Sequence, residues 1–113
     1  MNQLSIFDLI ETEEAPQFPD ADFAEIVDYL NYKLGINFER EQWATEYERE
    51  AYSCKVNKQL RFTIARGRFD PDINGGAEYI SCGWQTSKAG GGSPIEDTQA
   101  AENYFASTIR AYE

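Results

Sequence analysis

The residues best spaced for chemistry are Asp70, Asp72 and Asn74, which alternate ahead of a glycine in Asp70-Pro71-Asp72-Ile73-Asn74-Gly75. Oxygens at the first, third and fifth places of a loop, with glycine at the sixth, are how a calcium-binding loop begins. Glu78 falls at the ninth place, but the twelfth, where a bidentate Glu closes such a site, is Ser81. Losing that carboxylate removes the strongest ligand. The stretch therefore reads first as an Asp/Asn/Gly turn and second as a calcium site on Asp70, Asp72 and Asn74. Gly90-Gly91-Gly92-Ser93 is the other candidate, because glycines ahead of a helix N-terminus leave free amides that, with the helix dipole, can hold an anion. No Lys follows the last glycine and the spacing is not that of a dinucleotide fold, so a flexible crossover from strand to helix is the plainer reading. For catalysis the roster is thin. The chain has no His, two Cys, and no Ser or Lys beside an evident base, so a non-enzymatic protein with no cofactor is expected.

The elements around these residues follow from apolar spacing. Phe23, Ile26, Val27, Leu30 and Leu34 make the stripe of a first helix that starts at Asp20 or Asp22, with Asp22 and Glu25 at capping-box spacing, and stops at Gly35. A strand is expected from about Thr45 to Val56. Glu46, Glu48 and Glu50 share its parity with Tyr52, Cys54 and Val56, a conflict that a bulge near Glu50 would resolve. Asn57-Lys58 turns the chain into a second strand, Gln59 to Arg66, with Leu60, Phe62 and Ile64 inward. In the third, Ile80, Cys82 and Trp84 share the core face. Ser93-Pro94-Ile95-Glu96 then reads as a capped helix start, followed by Ala101, Tyr104, Phe105, Thr108, Ile109 and Tyr112 at helical spacing. The expected fold is α+β: helix, three-stranded antiparallel sheet, helix, with both helices on one face in a two-layer sandwich. Residues 20–113 form this domain. Residues 1–19 read as a flexible interaction peptide and acidic linker, mobile until it meets a partner.

Charge narrows the partners. With 10 basic and 20 acidic residues the chain carries a net charge of −10, which opposes direct nucleic-acid binding and favours a protein with a basic surface. Residues 1–48 hold twelve acids against two bases, whereas residues 49–68 hold six bases against one acid. Asp20, Asp22, Glu25 and Asp28 on the first helix, with Glu39, Glu41, Glu46 and Glu48 after it, are the candidate partner-binding acids. The two signs also have a plain reading as solvated faces. Cys54 and Cys82 fall at apolar positions and read as reduced and buried, and no stretch approaches membrane-spanning length. A cytoplasmic protein is expected.

The N-terminal tip is a second partner candidate. In Gln3-Leu4-Ser5-Ile6-Phe7, a polar residue precedes apolar side chains that can enter a small hydrophobic pocket from a tether. The segment resembles the peptide by which bacterial proteins engage the DNA polymerase sliding clamp. Gln3, Leu4 and Phe7 match that pattern and Ile6 stands where Leu is preferred. Leu4, Phe7 and Ile10 could instead make an amphipathic turn that docks on this protein's own core. Together with Ile80-Ser81-Cys82-Gly83-Trp84 and Gly90-Gly91-Gly92-Ser93-Pro94, the tip is similar to small acidic proteins of phages and mobile elements of Gram-positive bacteria. That group includes anti-CRISPR inhibitors of host nucleases. The resemblance implies an acidic inhibitor of a nucleic-acid enzyme such as a CRISPR nuclease; a small ligand- or Ca²⁺-binding module using the Asp70–Gly75 loop and the glycine loop is the alternative.

Overall fold

The computed structural model describes residues 15–46 and 49–112. Helix α1 (Phe23–Leu34) is followed by strand β1 (Glu39–Arg40), the short helix α2 (Gln42–Glu46), strands β2 (Ala51–Lys55), β3 (Arg61–Arg68), β4 (Glu78–Gln85) and β5 (Gly90–Ile95), and helix α3 (Thr98–Ala111). The strands lie in sequence order, each antiparallel to the next. The expected three-stranded sandwich is thus overturned by a five-stranded meander with a helix before and after it.

Both missed strands were hidden by weak local signals. β1 has two residues, and its place is set from outside: Asn31 at the end of α1 accepts the Phe38 N–H at 2.7 Å, and Glu39 then pairs with Ser53. β5 was hidden by its glycines, which disfavour strands in isolation. Here one of them is required, because the Trp84 indole lies across the neighbouring strand and a Cβ on Gly91 would sit 2.8 Å from Nε1. Ser93 and Ile95 pair with Cys82 and Ile80, and Pro94 is tolerated because the outer strand of a sheet can spare an N–H.

The capping box at Ser93 is accordingly displaced. Asp97 is the N-cap of α3, its Oδ1 accepting the Ala100 N–H at 2.7 Å. Asp97→Ala should cost about 1 kcal/mol in denaturant unfolding. Ser93→Ala should leave the α3 terminus unaffected, a contrast that separates the observed cap from the motif.

The strand expected from Thr45 is cut short, since Gln42–Glu46 turns as α2 and the strand begins at Ala51. That removes the parity conflict without a bulge. Helix α1 ends as its sequence indicates, with Gly35 left-handed at φ 67° and its N–H on the Asn31 carbonyl. Asp22 is its N-cap position but makes no side-chain capping bond.

One face of the sheet carries the core. Phe62, Ile64, Ile80 and Cys82 point into it, joined by Phe23, Ile26, Val27 and Leu30 of α1 and by Ala101 and Phe105 of α3, all essentially buried. The rings of Phe38, Phe62 and Phe105 form its centre, with Phe62 and Phe105 centroids 4.5 Å apart. Tyr29 on α1 donates to Glu102 on α3 at 2.9 Å, tying the two helices together.

The described part of the segment before α1 also belongs to the domain. Phe18 is buried, Thr98 Oγ1 donates to the Pro16 carbonyl at 2.6 Å, and Arg66 donates to the Pro19 carbonyl at 3.0 Å. The structured domain therefore begins ahead of the boundary expected at residue 20. Residues 1–14, the rest of the 1–19 segment expected to be a mobile peptide and linker, lie outside the described residues.

Candidate interaction surface

Helix α1 has its apolar stripe on one side, so whatever stands on the other must meet solvent. Glu25, Asp28 and Tyr32, spaced three and four residues apart, occupy that outer side and are all exposed. Tyr32 stands out at 74% exposure on a helix whose other large apolar residues are covered. Among the described residues the ion pairs are Arg66 with Glu50, Arg66 with Glu78, and Arg68 with Glu78, so neither carboxylate on this face has an internal partner. Asp20 and Asp22 are exposed just ahead of the helix and extend the acidic run past its N-terminus.

The remaining acids named from sequence do not share that helix face. Glu39 is exposed on β1 and accepts from Asn37 at 3.0 Å, and Glu46 is exposed on α2. Glu48 lies outside the described residues, as do Gln3, Leu4, Ile6 and Phe7. Tyr32 was missed by the sequence reading. Its signal was present: an aromatic residue on the polar side of a helical wheel, seven residues after Glu25.

The Asp70 loop is the connection between β3 and β4. Asp70 and Asp72 are exposed, Asn74 opens a 3₁₀ turn running to Gly76, and the Asp70 carbonyl accepts the Ile73 N–H at 2.8 Å. Ser81, the residue that would close a calcium loop, is in β4 between Ala65 and Pro94. Among the described residues no group of three His, Cys, Asp or Glu is placed to hold a metal ion. Gly90, Gly91, Gly92 and Ser93 are in β5, and the helix begins only at Thr98, so the anion-loop geometry expected of them is absent.

The basic stretch is partly consumed inside the fold. Arg66 holds Glu78 at 2.6 Å while its guanidinium stacks 5.4 Å from the Phe18 ring, and Arg68 holds the other Glu78 oxygen at 2.7 Å. Lys55 and Arg61 are left facing each other across the β2–β3 ladder. They border a polar concavity of about 400 Å³ between β1, α2 and the β2–β3 strands. Several of its groups are already occupied: Glu41 accepts from Ser53 and from the Trp43 indole, and Ser53 in turn accepts from Arg61 at 3.3 Å.

No family model, curated protein or solved structure matches this chain. The functional reading therefore rests on its own residues.

Both thiols are buried and neutral. Burial pushes Cys82 from 9.0 up to about 12 and also raises Cys54. Desolvation, then the hydrogen bond and charge of Glu102, push Tyr29 from 10.0 to about 12. The neutral forms of Cys82 and Tyr29 are thus favoured in the fold. Their contribution to stability is complete below pH 9 and is lost as pH rises from 9 toward 12. Melting temperatures measured across that window should fall, and Cys82→Ala should flatten the lower part of the decline.

Proposed function

We propose that this chain is a non-enzymatic protein-binding domain of a phage or mobile element, acting in the cytoplasm. Its acidic helix face would occupy the basic surface of a nucleic-acid enzyme such as a CRISPR nuclease. The observation that supports this reading is the outer side of α1, where Glu25 and Asp28 precede, two turns and one turn back, a Tyr32 that is 74% exposed. Unpaired carboxylates steer a basic partner and raise the encounter rate, while an exposed aromatic supplies apolar area at low entropic cost. A helix stripe of this kind presents one flat edge, suited to a groove that otherwise receives a phosphate backbone. The N-terminal residues Gln3, Leu4, Ile6 and Phe7 would add a second contact, to a sliding clamp, in the manner of an extended peptide entering a pocket.

Association with a purified CRISPR nuclease, followed on a biosensor, tests the helix face. Binding should slow as salt rises, and Glu25→Lys with Asp28→Lys should slow it further while the variant remains folded. Binding indifferent to both changes would exclude the face. For the tip, Leu4→Ala with Phe7→Ala should abolish binding to a purified sliding clamp and leave stability unchanged; a large loss of stability would instead place those residues on the core.

A second reading is favoured by Lys55 and Arg61, like charges set directly opposite on a ladder, whose repulsion a bound anion would relieve beyond what Glu39 and Glu41 of the same concavity supply. In this reading the neighbouring concavity takes a small anion. Phosphate titration should then raise the melting temperature of the wild type and not of Arg61→Gln. An equal response in both would remove the reading.

A further inference from the structure

Strand β5 is the outermost of the sheet, and among the described residues nothing pairs with its outer edge. The Thr86 N–H bonds the Ala89 carbonyl at 2.8 Å to close the β4–β5 hairpin, which sets the phase of the ladder. Bonded pairs then fall at Trp84–Gly91, Cys82–Ser93 and Ile80–Ile95, while Gly90, Gly92 and Pro94 turn their backbone groups outward. Pro94 confirms the phase, because the one residue without an N–H sits where β4 needs none. All three outward residues are exposed, and neither glycine has a side chain to shield its amide. Edge strands are ordinarily blunted by charges, bulges or prolines, and Gly90–Ile95 has only the proline.

We propose that this edge pairs with itself, a second copy of the chain adding its own β5 antiparallel across a two-fold axis at Gly92. In that register Gly92 of the two copies exchange both backbone hydrogen bonds, and each Gly90 N–H donates to the Pro94 carbonyl opposite. Charge selects the arrangement. The strand itself is uncharged, so nothing repels along it, and it is flanked by exposed Lys88 on one side and exposed Glu96 on the other. Antiparallel pairing about Gly92 sets Lys88 of each copy beside Glu96 of the other, at both ends of the join. Centring the axis on Gly91 instead would make Gly90 face Gly92 with as many backbone bonds, but would set Lys88 against Pro94 and forfeit both ion pairs. Parallel pairing would set like charges together. This self-complementarity is what points to a second copy of the chain as the occupant. Two strands of six residues join over less than the ~1,200 Å² of a standard interface, and each copy carries a net charge of −10, so the dimer belongs to the weak, exchanging class.

Sedimentation equilibrium of the full chain, from micromolar to millimolar concentration, reads the proposal directly. The mass should climb from 12.9 kDa toward twice that value, and the amide resonances of Gly90 and Gly92 should shift with concentration. Lys88→Glu should weaken the dimer about tenfold by replacing two attractions with two repulsions, and adding Glu96→Lys should restore it. Both residues are exposed and make no contact the fold requires, and the melting temperature of each variant checks that it folds. A mass fixed at 12.9 kDa throughout overturns the proposal. So does a dimer indifferent to Lys88→Glu, or one that the double exchange fails to restore.

Discussion

Phe105→Ala is expected to remove about 3–5 kcal/mol of folding stability, a large part of the 5–15 kcal/mol typical of a small domain. Phe105 is fully buried on α3 and meets Phe38 at 5.5 Å, Phe62 at 4.5 Å and Tyr104 at 5.3 Å between ring centroids. Three elements converge there: the β1 entry, the centre of the sheet and the last helix. A cavity at their junction cannot be closed by moving one side chain. Trp84→Ala should cost less, although the sequence alone places Trp84 on the core face beside Ile80 and Cys82. The indole is only half-buried, leaning on Tyr112 at 5.3 Å and across Gly91 at the rim. Urea unfolding of the two variants gives the order, and a Trp84 variant that proved the weaker would contradict this placement of the core.

Most of the framework was legible because its signals are repeated. Helix α1 is marked by five apolar residues at helical spacing and a terminating glycine, and Leu60, Phe62, Ile64, Ile80 and Cys82 were each assigned to the core face they occupy. What was not legible depends on single long-range contacts. Nothing local tells Gly90-Gly91-Gly92 that an indole from β4 will lie over it, and Glu39–Arg40 is a strand only because Asn31 and Ser53 hold it in place. Ser-Pro-x-Glu is a sound helix-start signal, but Asp97 and Thr98 supply a competing start a few residues later that lets the sheet keep Ser93 and Ile95.

The candidate site was half legible. Glu25 and Asp28 were named from charge density, whereas Tyr32 was passed over because it lies off the apolar stripe. The anion motif was a spacing without geometry, since Gly90, Gly91, Gly92 and Ser93 lie in an edge strand and the helix begins only at Thr98.

The second large effect belongs to the helix face. Tyr32→Ala should lose 2 kcal/mol or more of binding, about thirtyfold in affinity, if the ring is the buried anchor of an interface. The reversals Glu25→Lys and Asp28→Lys should act mainly on the association rate, the part of binding that long-range charge controls. Stability should respond in the opposite sense. Removing negative charge from a chain at −10 relieves self-repulsion, so Asp28→Lys should melt at the same temperature or higher, whereas Glu25→Lys also loses a first-turn carboxylate that favours the helix dipole by about 0.3–1 kcal/mol.

The most direct measurement of the central claim is target-DNA cleavage by a purified CRISPR nuclease with increasing amounts of this protein, wild type beside Glu25→Lys, Asp28→Lys and Tyr32→Ala combined. The acidic face of α1 predicts inhibition by the wild type, weakened as salt rises, and uninhibited cleavage with the folded triple variant. Inhibition of equal strength by both proteins, or cleavage untouched by the wild type, would contradict it.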